Sequence, residues 1–455
     1  MRKFLVLLLF FCLVSSSFAG VMFQTFYWGC WNGSVSWWDN LAGKMNDLRK
    51  AGFTSVWIPN SVKGASGGMS MGYDPFDHYD LGSKLQGSSG HSPELPTHWG
   101  ELYQLRRMVA FARANGIDVY HDMVLNHLNG DPGDKVFKYV NWNGVAGKGR
   151  FPKQATDFHD KDSDLDDTSF GPDLNYYNGY TYDNTMQWGD WLVKSLDLQG
   201  FRFDYVKGLP YKTDATPKFW FQYQFLNYGA MAGKFCVSEY ADDNRDTLNW
   251  FIGETGNKSS AFDFTLRAQL KSLCDGNGLY DLRGLRWAGL VHINPAGAVT
   301  WVENHDTHPN HGSPLRPPII NNKILGYAYI LTHEGYPCVA YGDYYGFNMK
   351  AAIDPLVWVH EKLAGGSTTV LSTGGDDTQW SSFYAMQRSG YGSNPGLVLV
   401  INGHGQNWQG RWVKTKWANT KLHVYSWSGG DRKSTRLNSS HVSEKSYAVF
   451  CLKKK

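Results

Sequence analysis

Gly200-Phe201-Arg202-Phe203-Asp204-Tyr205-Val206-Lys207-Gly208 alternates aromatic with charged side chains between two glycines. Phe201, Phe203 and Tyr205 fall on one face and Arg202 and Asp204 on the other, which is the period of a β-strand. An ion pair on so apolar a strand is costly to bury, and taken alone the pattern reads as a structural Arg–Asp pair. Three further stretches change that reading: Asp122-Met123-Val124-Leu125-Asn126-His127, Val237-Ser238-Glu239-Tyr240, and Trp301-Val302-Glu303-Asn304-His305-Asp306-Thr307. Each has an apolar lead-in and ends in a carboxylate, His or Asn, as strands do when their carboxyl ends line a pocket.

Around these stretches the chain alternates strand and helix. Residues 21–27 read as a first strand, followed by a helix striped by Trp38, Leu41, Met45 and Leu48 and closed by Gly52. Residues 55–59 read as a second strand, and a Gly/Ser-rich loop then leads to Gly72-Tyr73-Asp74-Pro75. Leu102, Leu105, Met108, Val109 and Ala112 stripe another helix before a third strand over 117–126. This order predicts parallel strands with helices outside. Over 127–184 the periodicity gives way to Gly, Asn, Asp and aromatics. That is too long for a structureless loop and reads as a small inserted domain. A helix over 186–198, the opening strand and three further strand-like stretches follow, the last at 337–341. Short alternating runs at 397–401 and 422–427 predict an antiparallel β domain over 367–430 that stops early. Residues 431–455 end in three lysines and show no amphipathic period. They read as a non-native, disordered tail.

The four motifs, in this order and with a long insert after the third strand, resemble the conserved regions of the α-amylase family of retaining glycosidases (glycoside hydrolase family 13). The likeness runs from about residue 21 to about 366 and more weakly to about 428. Tyr336-Pro337-Cys338-Val339-Ala340-Tyr341-Gly342 also matches the family's last barrel strand. The resemblance implies an α/β fold, a closed (β/α)8 barrel over 20–126 and 185–366. The insert would occupy 127–184 and the C-terminal β domain would follow.

Retention of configuration requires two carboxyl groups about 5 Å apart around the anomeric carbon, one attacking and one acting as acid and then base. The motif match makes Asp204 the nucleophile and Glu239 the general acid/base, whose pKa must be raised to donate a proton. Arg202 would keep Asp204 ionised, because a guanidinium favours the charged carboxylate. Asp306 corresponds to the third family carboxylate, which holds sugar hydroxyls. His127 and His305 match residues that hydrogen-bond the same sugar. Tyr73 matches the ring that stacks beneath it, and Lys207 a contact on the leaving-group side. Asp122 is expected to be structural, tying Arg202 in place. Asn126, Asp173 and the Gly208 carbonyl match positions that hold a structural calcium between barrel and insert, and hard oxygen donors suit that ion. The acidic run Asp160, Asp162, Asp164, Asp166 and Asp167 lacks the glycine of an EF-hand and reads mainly as a solvated loop.

The implied activity is endo hydrolysis of α-1,4 glucan. Phe23-Gln24-Thr25-Phe26-Tyr27-Trp28 and Ala364-Gly365-Gly366-Ser367, which look like liquefying and plant-type amylases, favour it. A transglycosylase, or a hydrolase of α-1,6 or short substrates, would use the same site. A catalytically dead carbohydrate-binding protein is a different class, and such relatives usually lose one of the three carboxylates, all present here. Thr307-His308-Pro309-Asn310-His311 departs from the family pattern and is expected to reshape the leaving-group side.

Composition agrees with these expectations without deciding them. Aromatics make up 15% of the 455 residues, with 19 Trp and 26 Tyr, enough for sugar-stacking platforms as well as core. The formal charge of +3 misleads. The last 25 residues hold seven Lys/Arg against two Asp/Glu, and Arg2 and Lys3 add two more, which leaves the rest at −4. Nothing in that balance points to nucleic acid or an anionic membrane; the expected partner is an α-glucan polysaccharide, met by a monomer. Residues 1–19 read as a secretory signal, with Arg2 and Lys3 before an apolar run and Ser17-Phe18-Ala19 at the cleavage site, so an extracellular or periplasmic location is expected. Cys30, Cys236, Cys274 and Cys338 would remain outside the signal and the tail. They allow three full pairings, with buried thiols equally open for Cys236 and Cys338.

Overall fold

In the computed structural model eight short parallel strands close into a ring. They are β1 (Met22–Gln24), β2 (Ser55–Ile58), β3 (Asp118–Met123), β4 (Gly200–Phe203), β5 (Phe235–Ser238), β6 (Ser260–Phe262), β7 (Ala298–Trp301) and β8 (Tyr336–Ala340). Each pairs with its neighbours in sequence, and β1 pairs with β8 through Met22↔Cys338 and Gln24↔Ala340. The described residues are 20–31, 35–87, 91–129, 150–159, 170–312, 314, 316–403, 409–417, 422–428, 441–444 and 447–452. The proposed signal at 1–19 and the acidic run at 160–167 lie outside them.

The strand period explains how β4 faces two ways. Phe201 and Phe203 turn outward onto Phe225 of the helix Trp220–Phe225, with ring centroids 6.1 and 5.6 Å away. Arg202 between them points into the barrel and is 1% exposed. Gly200 opens the strand where a Cβ would sit 2.6 Å from the Tyr120 ring and 2.7 Å from the Phe235 carbonyl oxygen. The strand ends sooner than alternation predicts, because Tyr205 takes a left-handed backbone (φ 41°) and turns the chain out at the barrel's mouth.

Other boundaries also shift. The helix expected between Trp38 and Leu48 is two helices, Trp37–Ala42 and Met45–Ala51, which bury Trp37, Trp38, Leu41, Met45 and Leu48. The helix expected from 186 begins earlier and spans Gly179–Leu196. The Asn178 side chain caps it by accepting from the Tyr180 N–H, so its first turn lies within the range read as insert. In the described part of the insert, Phe158–His159 pairs antiparallel with Asp173–Leu174. Arg150 lies over the Tyr79 ring at 3.9 Å, which packs the insert on the barrel. Much of the aromatic surplus is core: Trp38, Trp57, Trp99, Trp188 and Trp301 are all fully buried. Cys30, Cys236, Cys274 and Cys338 are free thiols, the last three buried, which resolves the open alternative against a bridge among these four.

The C-terminal sheet corrects the reading of the tail. It is built from β9 (Thr368–Val370), β10 (Phe383–Arg388), β11 (Val398–Asn402), β12 (Leu422–Ser428) and β13 (Tyr447–Leu452), all antiparallel, in the order β9-β10-β11-β13-β12. The strand β13, from the stretch expected to be disordered, thus sits inside the sheet, with Val449 fully buried. His441–Glu444 pairs with Gln409–Trp412. The run Tyr-Ala-Val-Phe-Cys-Leu is apolar at every position. A run that is apolar throughout shows no alternation, and so escaped a search for period two. Among the described residues no helix is long and apolar enough to cross a membrane.

Candidate active site

The ladder of β3, β4 and β5 delivers the charged groups to one place. Asp122 pairs with Arg202, and Arg202 with Val237, across three adjacent strands. The ladder continues one residue past the strands: Asp204 N–H donates to the Met123 carbonyl (3.0 Å) and Glu239 N–H to the Phe203 carbonyl (2.9 Å). Both carboxylates are therefore held by backbone at the carboxyl ends of β4 and β5.

Arg202 is the hub. Its Nη1 donates to Asp122 Oδ1 (2.8 Å) and Asp204 Oδ1 (2.7 Å), and its Nη2 to Glu239 Oε2. Asp122 spends its other oxygen on Trp57 Nε1 (3.1 Å) and the Tyr73 hydroxyl (2.7 Å), so it has no free face toward the cleft. Asp306 comes from the turn after β7, where Asn304 Oδ1 accepts from the N–H groups of Asp306 and Thr307. His305 Nε2 lies 3.1 Å from Asp306 Oδ2, while Gln24 Nε2 lies 2.8 Å from His305 Nδ1. Gln24 thus donates to Nδ1, which leaves the His305 proton on Nε2, aimed at Asp306. The rings of Tyr73 and His305 are parallel, 5.0 Å apart. His127 Nε2 meets the Tyr73 carbonyl at 2.9 Å, which fixes the backbone beneath that ring.

Four carboxylates gather around one guanidinium in a buried site, and burial raises the proton affinity of three of them, Asp122, Asp204 and Asp306. Burial drives Asp204 well above the usual carboxylate range; Arg202 opposes the shift and Glu239 adds to it. Burial, reinforced by Glu239, raises Asp306 to about 8. His305 is pushed well down by burial and by Arg202, and stays neutral. The sequence expectation placed the raised proton affinity on Glu239 and kept Asp204 ionised. In the structure burial raises Asp204, and Arg202 does not fully offset it; Asp306 is raised as well.

Two kinds of comparison bear on this arrangement. Residues 397–451 match the family described as Alpha-amylase C-terminal. The α-amylase of Geobacillus stearothermophilus is 27% identical, covering 96% of this chain and 88% of its own. The glucan 1,4-α-maltohexaosidase of Bacillus sp. (strain 707) is 29% identical over 76% of each chain, and the Bacillus licheniformis α-amylase is 28% identical over a similar span. Over most of its length the chain is similar to α-amylases. Among solved structures, the α-amylase of Geobacillus thermoleovorans superposes with a TM-score of 0.64 at 18% identity, covering 96% of this chain and 99% of that one, a likeness of fold.

For an α-amylase-like glycosidase, the structure gathers Arg202, Asp204, Glu239, Asp306, His305 and Tyr73 in one place. Lys207 stands at the edge, 3.7 Å from Asp242 and over the Tyr240 ring at 4.8 Å. Of the three candidate metal ligands, Asn126 and Asp173 meet directly, and Gly208 lies against Asn126. Asn126 Nδ2 donates to Asp173 Oδ1 (2.8 Å), and a Cβ on Gly208 would fall 2.1 Å from Asn126 Oδ1. Among the described residues Asn126 Oδ1 is buried without a hydrogen-bond partner. A buried hard oxygen without a partner, and a carboxylate nearby, are donor types compatible with calcium. Sequence reasoning missed Gln24 and Trp57. Both are polar groups on strands otherwise apolar, and that was their only signal.

Proposed function

We propose that the chain is an endo-acting, retaining hydrolase of α-1,4-glucosidic bonds in starch- or glycogen-type polysaccharides. The observation that carries this is Arg202 holding Asp204 and Glu239 on its two terminal nitrogens at the mouth of the barrel. Carboxyl groups close enough to share one guanidinium suit the ~5 Å separation of retaining enzymes better than the wider gap of inverting ones.

In this reading the cluster titrates as a unit and carries at least one proton near neutrality. A bound sugar occupies the cleft with its anomeric carbon at Asp204, and the shared proton passes to Glu239. Glu239 gives that proton to the glycosidic oxygen as Asp204 attacks, the C–O bond breaks, and a glycosyl ester of Asp204 forms. Glu239, now a carboxylate, takes a proton from water, whose oxygen displaces Asp204 and restores the starting state. Asp306 and His305 hold hydroxyls of the ring, and Tyr73 supplies the apolar wall beneath it. Asp122, fully engaged by Arg202, Trp57 and Tyr73, positions the guanidinium.

Calcium at Asn126, Asp173 and the Gly208 carbonyl would supply positive charge that ties the insert to the loop after β4. Excess EDTA is then expected to lower the melting temperature and activity together, because a ligand bound only to the native state stabilises it. A metal-free preparation with an unchanged melt overturns those ligands. Residues 1–19 are proposed as an export signal, which recovery of a protein starting near residue 20 from the medium would test.

Relatives named α-amylase and glucan 1,4-α-maltohexaosidase share similar identity, so the product pattern carries the finer claim. Soluble starch, pullulan and maltotriose are the comparison substrates. A broad spread of dextrins early in starch digestion supports endo hydrolysis. One short product from the outset replaces it with an exo mode, transfer products indicate a transglycosylase, and no new reducing ends overturns the assignment.

A further inference from the structure

The segment Thr307-His308-Pro309-Asn310-His311 carries two imidazoles that the mechanism above does not use. They do different things. His308 is an anchor: its ring lies between Tyr27 and Phe347 (centroids 4.3 and 5.3 Å), and its Nδ1 accepts from the Asn310 N–H at 3.2 Å. Gly342 makes room for it, since a Cβ there would fall 2.4 Å from the His308 ring. With His308 pinned, the short turn Pro309–His311 returns His311 toward the cleft.

His311 meets the edge of the site. Its ring stands at 75° to Trp28 with centroids 4.9 Å apart, and its side chain is 20% exposed. Its Nε2 lies 3.9 Å from Asp306 Oδ1, too far for a hydrogen bond. Asp306 Oδ2 is met by His305, and Oδ1 is the oxygen turned toward His311. Among the described residues, His311 Nδ1 is buried without a hydrogen-bond partner.

We propose that His311 is a substrate-binding residue, and that its Nε2 and Asp306 Oδ1 together hold one hydroxyl of the glucan. Two polar atoms 3.9 Å apart leave room for an oxygen at about 2.8 Å from each, the ordinary hydrogen-bond length. A sugar hydroxyl suits both partners, since it donates to the carboxylate and accepts from the imidazole N–H. His311 therefore extends the hydroxyl-binding set of Asp306 and His305 through the segment that departs from the family pattern. The inference rests on the glycosidase reading of the site.

The test compares kcat and KM on a linear α-1,4 malto-oligosaccharide for the wild type, His311→Phe and His311→Gln, with a melting curve for each. Phe keeps a ring against Trp28 but has no N–H, and Gln restores a donor without the ring. The expected result is a roughly tenfold loss of kcat/KM in His311→Phe, as for one lost hydrogen bond in a cleft, and recovery of most of it in His311→Gln. A Phe variant within twofold of wild type shows that packing alone is required and overturns the proposal. Equal losses in Phe and Gln, or losses that track the melting temperature, overturn it too. A wild type inactive on α-1,4 glucan sinks the glycosidase reading itself, whereas an active wild type indifferent to His311 sinks only this inference.

Discussion

The mouth of the barrel and the C-terminal sheet solve opposite problems. At the mouth, β3, β4 and β5 pair in sequence order, and Asp122, Asp204 and Glu239 are set by the ladder around a buried cation. The groups are charged, crowded and short of compensation, and the barrel holds them regardless. In the C-terminal sheet the groups are apolar and both faces are covered. Phe383, Val398 and Val400 pack with Trp380 and Trp417 on one side, while Tyr384, Leu399, Ile401 and Val449 join the barrel's core on the other. Its middle depends on β13, which arrives last in the chain and slips between β11 and β12. One region stores electrostatic strain for chemistry, and the other contributes burial. Substitutions in the two should therefore part activity from stability.

Three perturbations press on that contrast, beyond the chelation and His311 tests. Asp204→Asn removes the attacking charge, and kcat on starch is expected to fall by several orders of magnitude. Its melting temperature should hold or rise, since one buried like charge has gone; activity within tenfold of wild type would remove Asp204 from the mechanism. At the other pole, Val449→Asp places a charge where the side chain is fully buried. A drop of roughly 5 °C or more in melting temperature is expected, with activity per folded molecule unchanged. Ending the chain after Gly430 should act in the same direction, with poorer yield and an intact cleft. If either change abolishes catalysis in protein that remains folded and monomeric, the two regions are not separable.

The smallest effect concerns pH. Asp306, raised by burial to about 8, binds its proton more tightly folded than unfolded. Its contribution to stability is complete below about pH 4 and lost as pH rises through about 8. Against Asp306→Asn, the wild-type melting temperature should therefore decline between those limits. A constant difference between the two proteins across that range would show that the carboxyl titrates normally.

The legible part of the site was its local part. Arg202 and Asp204 sit two residues apart, and Glu239 and Asp306 each close a short apolar run, so a strand period and an ordered set of motifs found them. Gln24 reaches His305 across 281 positions and Trp57 reaches Asp122 across 65, and no local pattern reports such pairs. The barrel was foreseen, but its closure came from resemblance, since alternation of strand and helix does not say where a sheet ends. The helix Gly179–Leu196 was begun too late because its first turn, Gly-Tyr-Thr-Tyr, has weak helix propensity and relies on Asn178. The strand β13 was missed because six apolar residues in a row carry no period of two.

The pairing of β1 with β8 has a consequence for how the protein is made. Met22 cannot meet Cys338 until more than three hundred further residues have left the ribosome. Through that interval β1 has one neighbour, β2, and an open edge, and the growing sheet is a curved ribbon rather than a ring. Closure is then one late event between the ends of that ribbon, with a large loop entropy to overcome. During synthesis the nascent chain is a target for any factor that binds exposed strand edges, and a pause in translation before residue 340 lengthens that exposure.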